Sequence, residues 1–153
     1  MHASIDQLWQ RYRAIHPQAP EQTPIAYHFC DNAADAAICL ALVLSGQKQA
    51  TACSLAELEL NGDPIPQVGD YAIVTNWEGE AQCVIQTHTV VIQKFADVDD
   101  AFVHAEGEGD KSLAWWCTAH QQYFTRVLAG TNYAVDDALE IACEQFKLVF
   151  RAD

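Results

Sequence analysis

Two segments rich in β-branched and aromatic residues lie close together near the middle of the chain. They are YAIVTNW, residues 71–77, and AQCVIQTHTVVIQKF, residues 81–95, and only the residues EGE separate them. Runs of this composition, divided by a short polar break that contains a glycine, are typical of a β-hairpin. The sequence therefore predicts an antiparallel hairpin with a long second strand.

Segments with helical signals surround this hairpin. Apolar residues at helical spacing predict an N-terminal helix over about residues 4–16, a second helix within residues 31–47 and a third within residues 112–130. Residues 95–105 predict a shorter helix, which leads into a strongly acidic segment. These helices alternate with strand-like segments rather than forming a bundle of their own.

The remaining segments predict strands. Residues 25–30, IAYHFC, and the start of residues 48–60 are expected to be extended. The last apolar segment, residues 139–150, alternates on either side of residues 144–145, which predicts a bulge in a long final strand. There are no repeats and no low-complexity tract. The pattern is that of one α+β domain with mostly antiparallel strands.

Length and hydrophobicity set the broad class. With 153 residues, half of them apolar, the chain is long enough to bury a core and too apolar to remain disordered. No apolar run approaches the roughly 20 residues that a membrane helix needs, and the N-terminal segment lacks the apolar core of a secretory signal. We therefore expect a cytoplasmic protein that does not engage a membrane.

The six cysteines are scattered, and none forms a C-x-x-C pair or lies at zinc-finger spacing from a histidine. In a reducing compartment such residues are expected to be small buried thiols. The sequence thus predicts neither a disulfide framework nor a metal site, and nothing in it calls for a cofactor.

The chain is acidic, with eight Lys and Arg against 21 Asp and Glu and a formal net charge of −13. Affinity for nucleic acid comes mainly from basic side chains that replace counterions on phosphates. The basic residues here are few and spread along the chain. Composition therefore favours a small or neutral substrate and disfavours tight, non-specific binding of RNA.

The segment GQKQAT, residues 46–51, contains the first candidate site, Lys48 and Thr51. A separation of three places their side chains on opposite faces of a regular strand, so they converge only if the backbone turns between them. A Thr hydroxyl becomes a nucleophile when a base takes its proton, and Lys can act as that base only as a neutral amine. The alternative is an exposed Lys beside an ordinary strand Thr.

The segment HAEGEGDKS, residues 104–112, contains the second candidate, Glu108. A glycine on each side lets the backbone adopt positive φ and bring this carboxylate into a pocket. Asp110 and Ser112 compete as the N-cap of the following helix, and Glu106 has no evident role. A solvated acidic turn is the alternative interpretation of the whole segment.

Two aromatic residues follow in the third predicted helix. His120 lies on the apolar stripe of that helix, where a hydrogen-bonded core histidine is expected. Trp115 points away from the stripe and could stack on a base, although packing against a neighbouring element is the commoner role.

The order of these motifs resembles that of the ASCH domain family, in its longer bacterial branch, along nearly the whole chain. The matching elements are GQKQAT at 46–51, VGDY at 68–71, EGEGDKSL at 106–113, and Trp116 with His120. The resemblance implies a PUA-like, mostly antiparallel β-barrel flanked by helices. It also implies a single ASCH domain over residues 1–153, with the N-terminal helix packed on it.

The resemblance also implies an activity. Small bacterial members of the family are amidohydrolases that remove the acetyl group of N4-acetylcytidine. By this resemblance, Thr51 would attack the amide carbonyl, Lys48 would deprotonate Thr51, and Glu108 would position the substrate or protonate it. Asp110, Ser112 and Trp115 would contact the nucleoside-like substrate.

Other members of the longer branch bind or cleave single-stranded RNA. Two alternatives therefore stand beside the hydrolase: an RNA-binding or RNA-cleaving protein, and a domain that binds a ligand in the same cleft without catalysis. The first would depend on Lys48 and Trp115.

Overall fold

The computed structural model describes residues 2–153, so Met1, which the predicted domain includes, lies outside the described residues. The five strands form one mixed sheet in the order β1–β3–β4–β5–β2, which curls into a half-barrel. The β1–β3 pair is parallel, and the other three pairs are antiparallel. The strands are β1 (Ile25–Tyr27), β2 (Ala50–Ser54), β3 (Tyr71–Thr75), β4 (Ala81–Lys94) and β5 (Glu140–Arg151).

Helices flank this sheet, and most begin at a recognisable side-chain cap. Asn32, Asp99 and Ser112 each accept a backbone N–H from the first turn of the helix that follows. A short 3-10 turn, Phe95–Asp97, follows β4. The helices are α1 (Ala3–Ile15), α2 (Ala33–Leu44), α3 (Leu55–Asn61), α4 (Asp100–Glu106) and α5 (Leu113–Val127).

The α+β, PUA-like architecture expected from the sequence is confirmed. The predicted hairpin is β3 with the 14-residue strand β4. Helix α3 was missed, because the segment that contains it was expected to begin as a strand. It begins at a capping box: the Ser54 hydroxyl accepts the Glu57 N–H at 3.1 Å, and the Glu57 carboxylate accepts the Ser54 N–H at 3.2 Å.

The bulge expected at residues 144–145 requires a correction. Thr87 of β4 pairs with Phe146 of β5, whereas Thr89 pairs with Gln145, so the extra residue is His88 on β4. The change of pattern in β5 does mark an irregular point in the ladder. This change of pattern reflects a change in the surroundings of β5. It does not show whether β4 or β5 carries the additional residue.

Three groups of buried side chains hold the helices to the sheet. Helix α1 packs Ile5, Leu8 and Trp9 against β3 and β4. Helices α4 and α5 pack against β2 and β5, with Trp116 and Phe124 in the centre. Helix α2 contributes the third group, which meets the sheet at Phe146 of β5. No helix within residues 2–153 has both the length and the apolar character needed to cross a membrane.

A cleft of about 980 Å³ opens over the sheet. Its lining comes from β1, the end of α2, β2, the junction between α4 and α5, and the cleft-facing side of α5. The sheet provides a rigid floor, and the segments between elements bring polar side chains to it.

Candidate functional site

Lys48 reaches the cleft because the chain reverses direction after α2. The backbone N–H groups of Gln47 and Lys48 both donate to the Leu42 carbonyl, at 2.9 and 3.0 Å, and Gly46 has a φ of 81°. This turn uses a left-handed glycine, as the sequence indicates. It directs the Lys48 side chain inward, where only 1% of it is exposed.

The acidic segment is attached to the same turn through Gly107. The Gln47 side-chain amide donates to the Gly107 carbonyl at 2.9 Å, and the Gln49 N–H donates to the Ala105 carbonyl at 2.8 Å. Gly107 has a φ of 70°, and a Cβ atom there would lie 2.4 Å from the Gln47 carbonyl oxygen. No side chain fits in that space. The glycine therefore lets the two motifs dock closely.

Docking places the Lys48 ammonium between two glutamates. Its Nζ lies 3.4 Å from Glu106 Oε1 and 3.5 Å from Glu108 Oε2, and it donates to the Ala50 carbonyl at 2.7 Å. The Phe29 ring centroid lies 5.2 Å from the same nitrogen. The ammonium is thus surrounded by acceptors and a π face, which is the environment that a buried cation requires.

Glu106 is the most connected residue of the cluster. One of its oxygens contacts Lys48 and, at 3.2 Å, His120 Nε2, and the other accepts the Trp116 indole N–H. Burial raises the pKa of Glu106, but the charges of Lys48 and His120 outweigh burial and lower this pKa to about 2. Glu106 is therefore ionised at neutral pH and forms the structural centre of the cluster.

Glu108 lies nearer to the cleft, with 16% of its side chain exposed. Its Oε1 accepts the Cys39 thiol at 2.8 Å, and its Oε2 faces Lys48. Burial is the largest cause of a raised pKa at Glu108, and the negative charge of Glu106 adds to it, against the lowering effect of Lys48. Two carboxylates separated by one residue thus have opposite pKa shifts, and Glu108 is the one that takes up a proton more readily.

The two basic groups of the cluster are held in their charged forms. Burial lowers the pKa of Lys48, but Glu106 and Glu108 together raise it above its ordinary value. Burial likewise lowers the pKa of His120, and Glu106 reverses this shift, so that the pKa is raised overall. Lys48 is therefore an ammonium in this arrangement, whereas a general base requires the neutral amine.

Thr51 lies on β2 and lines the same cleft as Lys48 and Glu108. Its partner across the ladder is Glu144 of β5, which also lines the cleft and accepts the Thr87 hydroxyl. Within residues 2–153, no hydrogen bond involves the Thr51 hydroxyl. The cleft is thus lined by an unengaged hydroxyl on the sheet and by the charged cluster of Lys48, Glu106 and Glu108.

The three residues proposed to contact substrate separate into two groups. Asp110 accepts the Ser112 N–H at 2.8 Å, and Ser112 accepts the Trp115 N–H at 3.1 Å as the N-cap of α5. Neither Asp110 nor Ser112 lines the cleft, so both serve the local structure of the turn. Trp115 does line the cleft, with 39% of the residue exposed.

Gly109 explains how Trp115 reaches this position. The backbone at Gly109 has a φ of 57°, and a Cβ atom would lie 2.3 Å from the Trp115 ring. The indole therefore lies directly against the backbone of the acidic segment. The second glycine of EGEGD thus has a packing role that is distinct from that of Gly107.

Sequence reasoning left Glu106 without a role and placed His120 in the core. His120 is half-buried, lines the cleft, stacks on Trp116 with ring centroids 4.0 Å apart, and contacts Glu106. A signal was present, because Trp116 and His120 are four residues apart and lie on one helix face. What the sequence could not indicate is that a carboxylate comes between this face and Lys48.

Two sets of side chains have donor atoms close enough together to suit a metal ion. They are Cys30, Cys39 and Glu108, and Glu106, Glu108 and His120, each with donor atoms within 4.8 Å of one another. In the first set, Cys39 contacts both Cys30 and Glu108, and in the second set His120 contacts Glu106. Lys48 provides a positive charge beside both carboxylates. These contacts explain the clusters without an ion.

Comparison with solved structures supports the fold over nearly the whole chain. An ASCH domain from Lactobacillus crispatus JV V101 is 30% identical, with a TM-score of 0.85 over 99% of this chain and 97% of that chain. A protein from Enterococcus faecalis V583 is 25% identical, with a TM-score of 0.89 over 99% of this chain and 91% of that chain. No curated protein matches the chain.

The family model of the ASCH domain matches residues 25–150 of this chain. This range begins at β1 and ends within β5, so it includes all the elements that position Lys48, Thr51 and Glu108. The motifs that carried the resemblance in sequence therefore lie within a match to both the family and its fold. The chain belongs to the ASCH domain family.

Proposed function

We propose that this protein is a hydrolase that cleaves the exocyclic amide of an N4-acylated cytidine-like nucleoside. The observation that carries the proposal is the arrangement in one cleft of a free hydroxyl, Thr51, and a carboxylate with a raised pKa, Glu108, beside a buried ammonium, Lys48. Amide hydrolysis needs a nucleophile, a proton acceptor and a positive charge for the developing oxyanion. The three residues supply these in that order.

The charges favour Glu108 over Lys48 as the proton acceptor. Lys48 has a raised pKa and lies between two carboxylates, so it holds its proton more tightly than Glu108 does. A carboxylate with an elevated pKa suits general base catalysis near neutral pH. Lys48 then acts as a fixed positive charge, and this role differs from the base role that the resemblance implies.

The first step is an acyl transfer to Thr51. The Thr51 oxygen forms a bond to the amide carbon while its proton passes to Glu108, and the carbonyl oxygen becomes negative beside the Lys48 ammonium. The tetrahedral intermediate then collapses, the bond from carbon to N4 breaks, and Glu108 returns the proton to N4. The products are a free amino group on the base and an ester on Thr51.

The second step regenerates the protein. Water attacks the ester carbon and gives a proton to Glu108, after which the carboxylic acid leaves and Thr51 recovers its proton from Glu108. Overall, one water and one amide become an amine and a carboxylic acid. Glu106 takes no part in proton transfer, because its low pKa keeps it ionised, and it holds Lys48 and His120 in place.

The cleft suits an uncharged substrate of moderate size. Its volume of about 980 Å³ is sufficient for a nucleoside, since ligand pockets commonly occupy about 300–1,000 Å³. Glu106, Glu108 and Glu144 all contribute negative charge to its lining. The cationic side chains of the lining, which are Lys48, His120 and Arg126, are each paired with a carboxylate. A phosphate group would be repelled here.

Purified protein incubated with N4-acetylcytidine tests the proposal, with cytidine followed by chromatography. We expect turnover in the native protein, a loss of about 100-fold or more in Glu108→Gln, and no measurable turnover in Thr51→Ala. Thr51→Ser retains a hydroxyl and should keep activity. Thr118→Ala, an exposed change on α5 away from the cleft, serves as the control. Absence of turnover in the native protein, or full activity in Thr51→Ala, would overturn the proposal.

Exposure of Trp115 at the cleft favours a second candidate, recognition of single-stranded RNA, which accords with a family of RNA-binding and hydrolase-like proteins. An indole of this kind can stack on a base. Binding should then weaken in Trp115→Ala and should fall with salt, since Lys and Arg contacts release counterions. A labelled oligoribonucleotide titrated at two salt concentrations separates this candidate from nucleoside hydrolysis.

A further inference from the structure

Two cysteines lie next to the catalytic carboxylate with their sulfurs in contact. Cys30 follows β1, and Cys39 lies on α2, and their Sγ atoms are 3.3 Å apart. A disulfide bond requires a separation of about 2.05 Å, so the sulfurs need to approach by only about 1.2 Å. The chain between them is short and already folded into the loop and first turns of α2.

The two thiols differ in accessibility. Cys30 is half-buried and has a φ of 63°, a left-handed conformation that is unusual for a residue with a side chain. Cys39 is buried behind it, and both line the cleft. A small molecule that enters the cleft therefore meets Cys30 first, with Cys39 placed to react next.

We propose that Cys30 and Cys39 form an oxidative modification site, at which a peroxide converts the two thiols to a disulfide and thereby disables Glu108. This site is separate from the hydrolytic chemistry, but its effect on Glu108 rests on the proposed function. Neither cysteine is needed for the acyl transfer itself. Their place beside the base makes them a means of regulating it.

The reaction balances with hydrogen peroxide as the oxidant. The Cys30 sulfur attacks one peroxide oxygen, an S–O bond forms, the O–O bond breaks, and the released hydroxide leaves as water with the thiol proton. The Cys39 sulfur then attacks the Cys30 sulfur, an S–S bond forms, and the S–O bond breaks. The Cys39 proton passes by way of Glu108 to the leaving hydroxide, which departs as a second water. Two thiols are oxidised and one peroxide is reduced to two waters.

The consequence for Glu108 follows from its hydrogen bonds. The Cys39 thiol donates to Glu108 Oε1 at 2.8 Å, and this bond favours the ionised carboxylate. A disulfide sulfur has no proton to donate. After oxidation, Glu108 keeps its burial and its contact with Lys48 but loses this donor, so its pKa rises and less of it is ionised at neutral pH.

The groups that face Glu108 from the elements around it are few. They are Lys48 from the turn after α2, Glu106 from α4, His120 from α5, Cys39 from α2 and Cys30 from the preceding loop. Oxidation changes the last two and leaves the other three in place. A shift in the titration of Glu108 on oxidation therefore reports on the thiol pair.

Peptide mapping after peroxide treatment tests the site without reference to turnover. Trypsin cuts after Arg13 and Lys48, and the peptide 14–48 contains Cys30 and Cys39 and no other cysteine. We expect this peptide to become resistant to alkylation and lighter by two hydrogens, and to regain both thiols with dithiothreitol. Cys30→Ser should abolish the change, and Cys117→Ser, a half-buried thiol outside the cleft, should leave it intact.

Two readouts then test the effect on Glu108. Glutamate-labelled protein followed by NMR should show a higher titration midpoint for Glu108 after oxidation. Hydrolysis should fall with the ionised fraction, by about tenfold for each unit by which this midpoint exceeds the pH of the assay. Each variant is compared with its own untreated sample. Full alkylation of the peptide 14–48 after treatment would overturn the modification site. An unchanged Glu108 titration in the disulfide form would overturn its coupling to Glu108, even if no hydrolysis is found.

Discussion

The ammonium of Lys48 lies 3.5 Å from the carboxylate of Glu108 at the floor of a cleft, although the two residues belong to segments 60 positions apart in the chain. The side chain of Lys48 is 1% exposed, so its charge depends on carboxylates rather than on water. The charge states of the two residues are therefore linked. Changes to either one are expected to alter both stability and the proposed chemistry.

Replacing Lys48 with an apolar residue of similar size should strongly destabilise the protein. In Lys48→Met, two buried carboxylates lose their shared cation, and loss of one partner of a buried ion pair destabilises a protein by about 3–5 kcal/mol. Urea denaturation measures the change. Lys147→Met, an exposed lysine on β5, is the matched control and should stay close to the native value. Equal stabilities of the two variants would contradict the role assigned to Lys48.

Acid should destabilise the protein through Glu106. Its pKa is near 4.5 when unfolded and about 2 when folded, so its ionised form contributes stability above pH 4.5 that is lost as the pH falls towards 2. The contribution is on the order of 3 kcal/mol. Denaturation at pH values from 7 down to 2 should show this loss, and Glu106→Gln should flatten it. Glu140→Gln, an exposed change, should keep the native profile.

Alkali should destabilise the protein through His120. Because its folded pKa lies above the unfolded value of 6.5, the charged ring contributes stability that is complete below pH 6.5 and is lost as the pH rises through the folded pKa. Histidine NMR should place the titration midpoint of His120 above 6.5. His120→Gln should remove this alkaline loss, whereas His104→Gln at an exposed position should not.

Replacing Gly109 with alanine should destabilise the protein more than replacing Gly62, a glycine that also has a positive φ. Gly62 and Gly109 both have positive φ, but a Cβ atom meets nothing within 4 Å at Gly62 and meets the Trp115 ring at 2.3 Å at Gly109. Gly62→Ala should cost about 1 kcal/mol from backbone strain. Gly109→Ala should cost more and should displace Trp115, which tryptophan fluorescence and nucleoside binding would report. Similar costs and an unchanged indole would contradict this packing.

Local signals made much of the fold predictable. The hairpin β3–β4 and helices α2 and α5 follow from alternation, helical spacing and caps that lie within a few residues of the elements they define. Helix α3 has equally local information in Ser54 and Glu57, but the strand-like residues before it concealed the boundary. The position of His88 as the extra residue of β4 depends on pairing with β5, so it could not be read from either strand alone.

The candidate site was predictable only in part, because some of its contacts join segments that are distant in the chain. The glycines and the order of motifs pointed to Lys48, Thr51 and Glu108, and all three line one cleft. The central place of Glu106 comes from contacts with three other segments, which no spacing within HAEGEGDKS indicates. Asp110 and Ser112 are polar residues of the kind found in binding loops, but both accept hydrogen bonds from backbone N–H groups at the start of α5.

The docking of Gln47 against Gly107 has a consequence for how the chain folds. Lys48 and Glu106 are 58 residues apart, and β2, α3, β3 and β4 lie between them along the chain. A contact of this sequence separation closes a long loop, and the entropy lost in that closure opposes it until the rest of the fold compensates. Until then the charges stay hydrated, because burying either one alone is far more costly than burying the pair. Compact states in which the two segments are misaligned, so that one charge is buried without the other, are therefore strongly disfavoured. The charged cluster thus favours the native arrangement of the chain over compact alternatives.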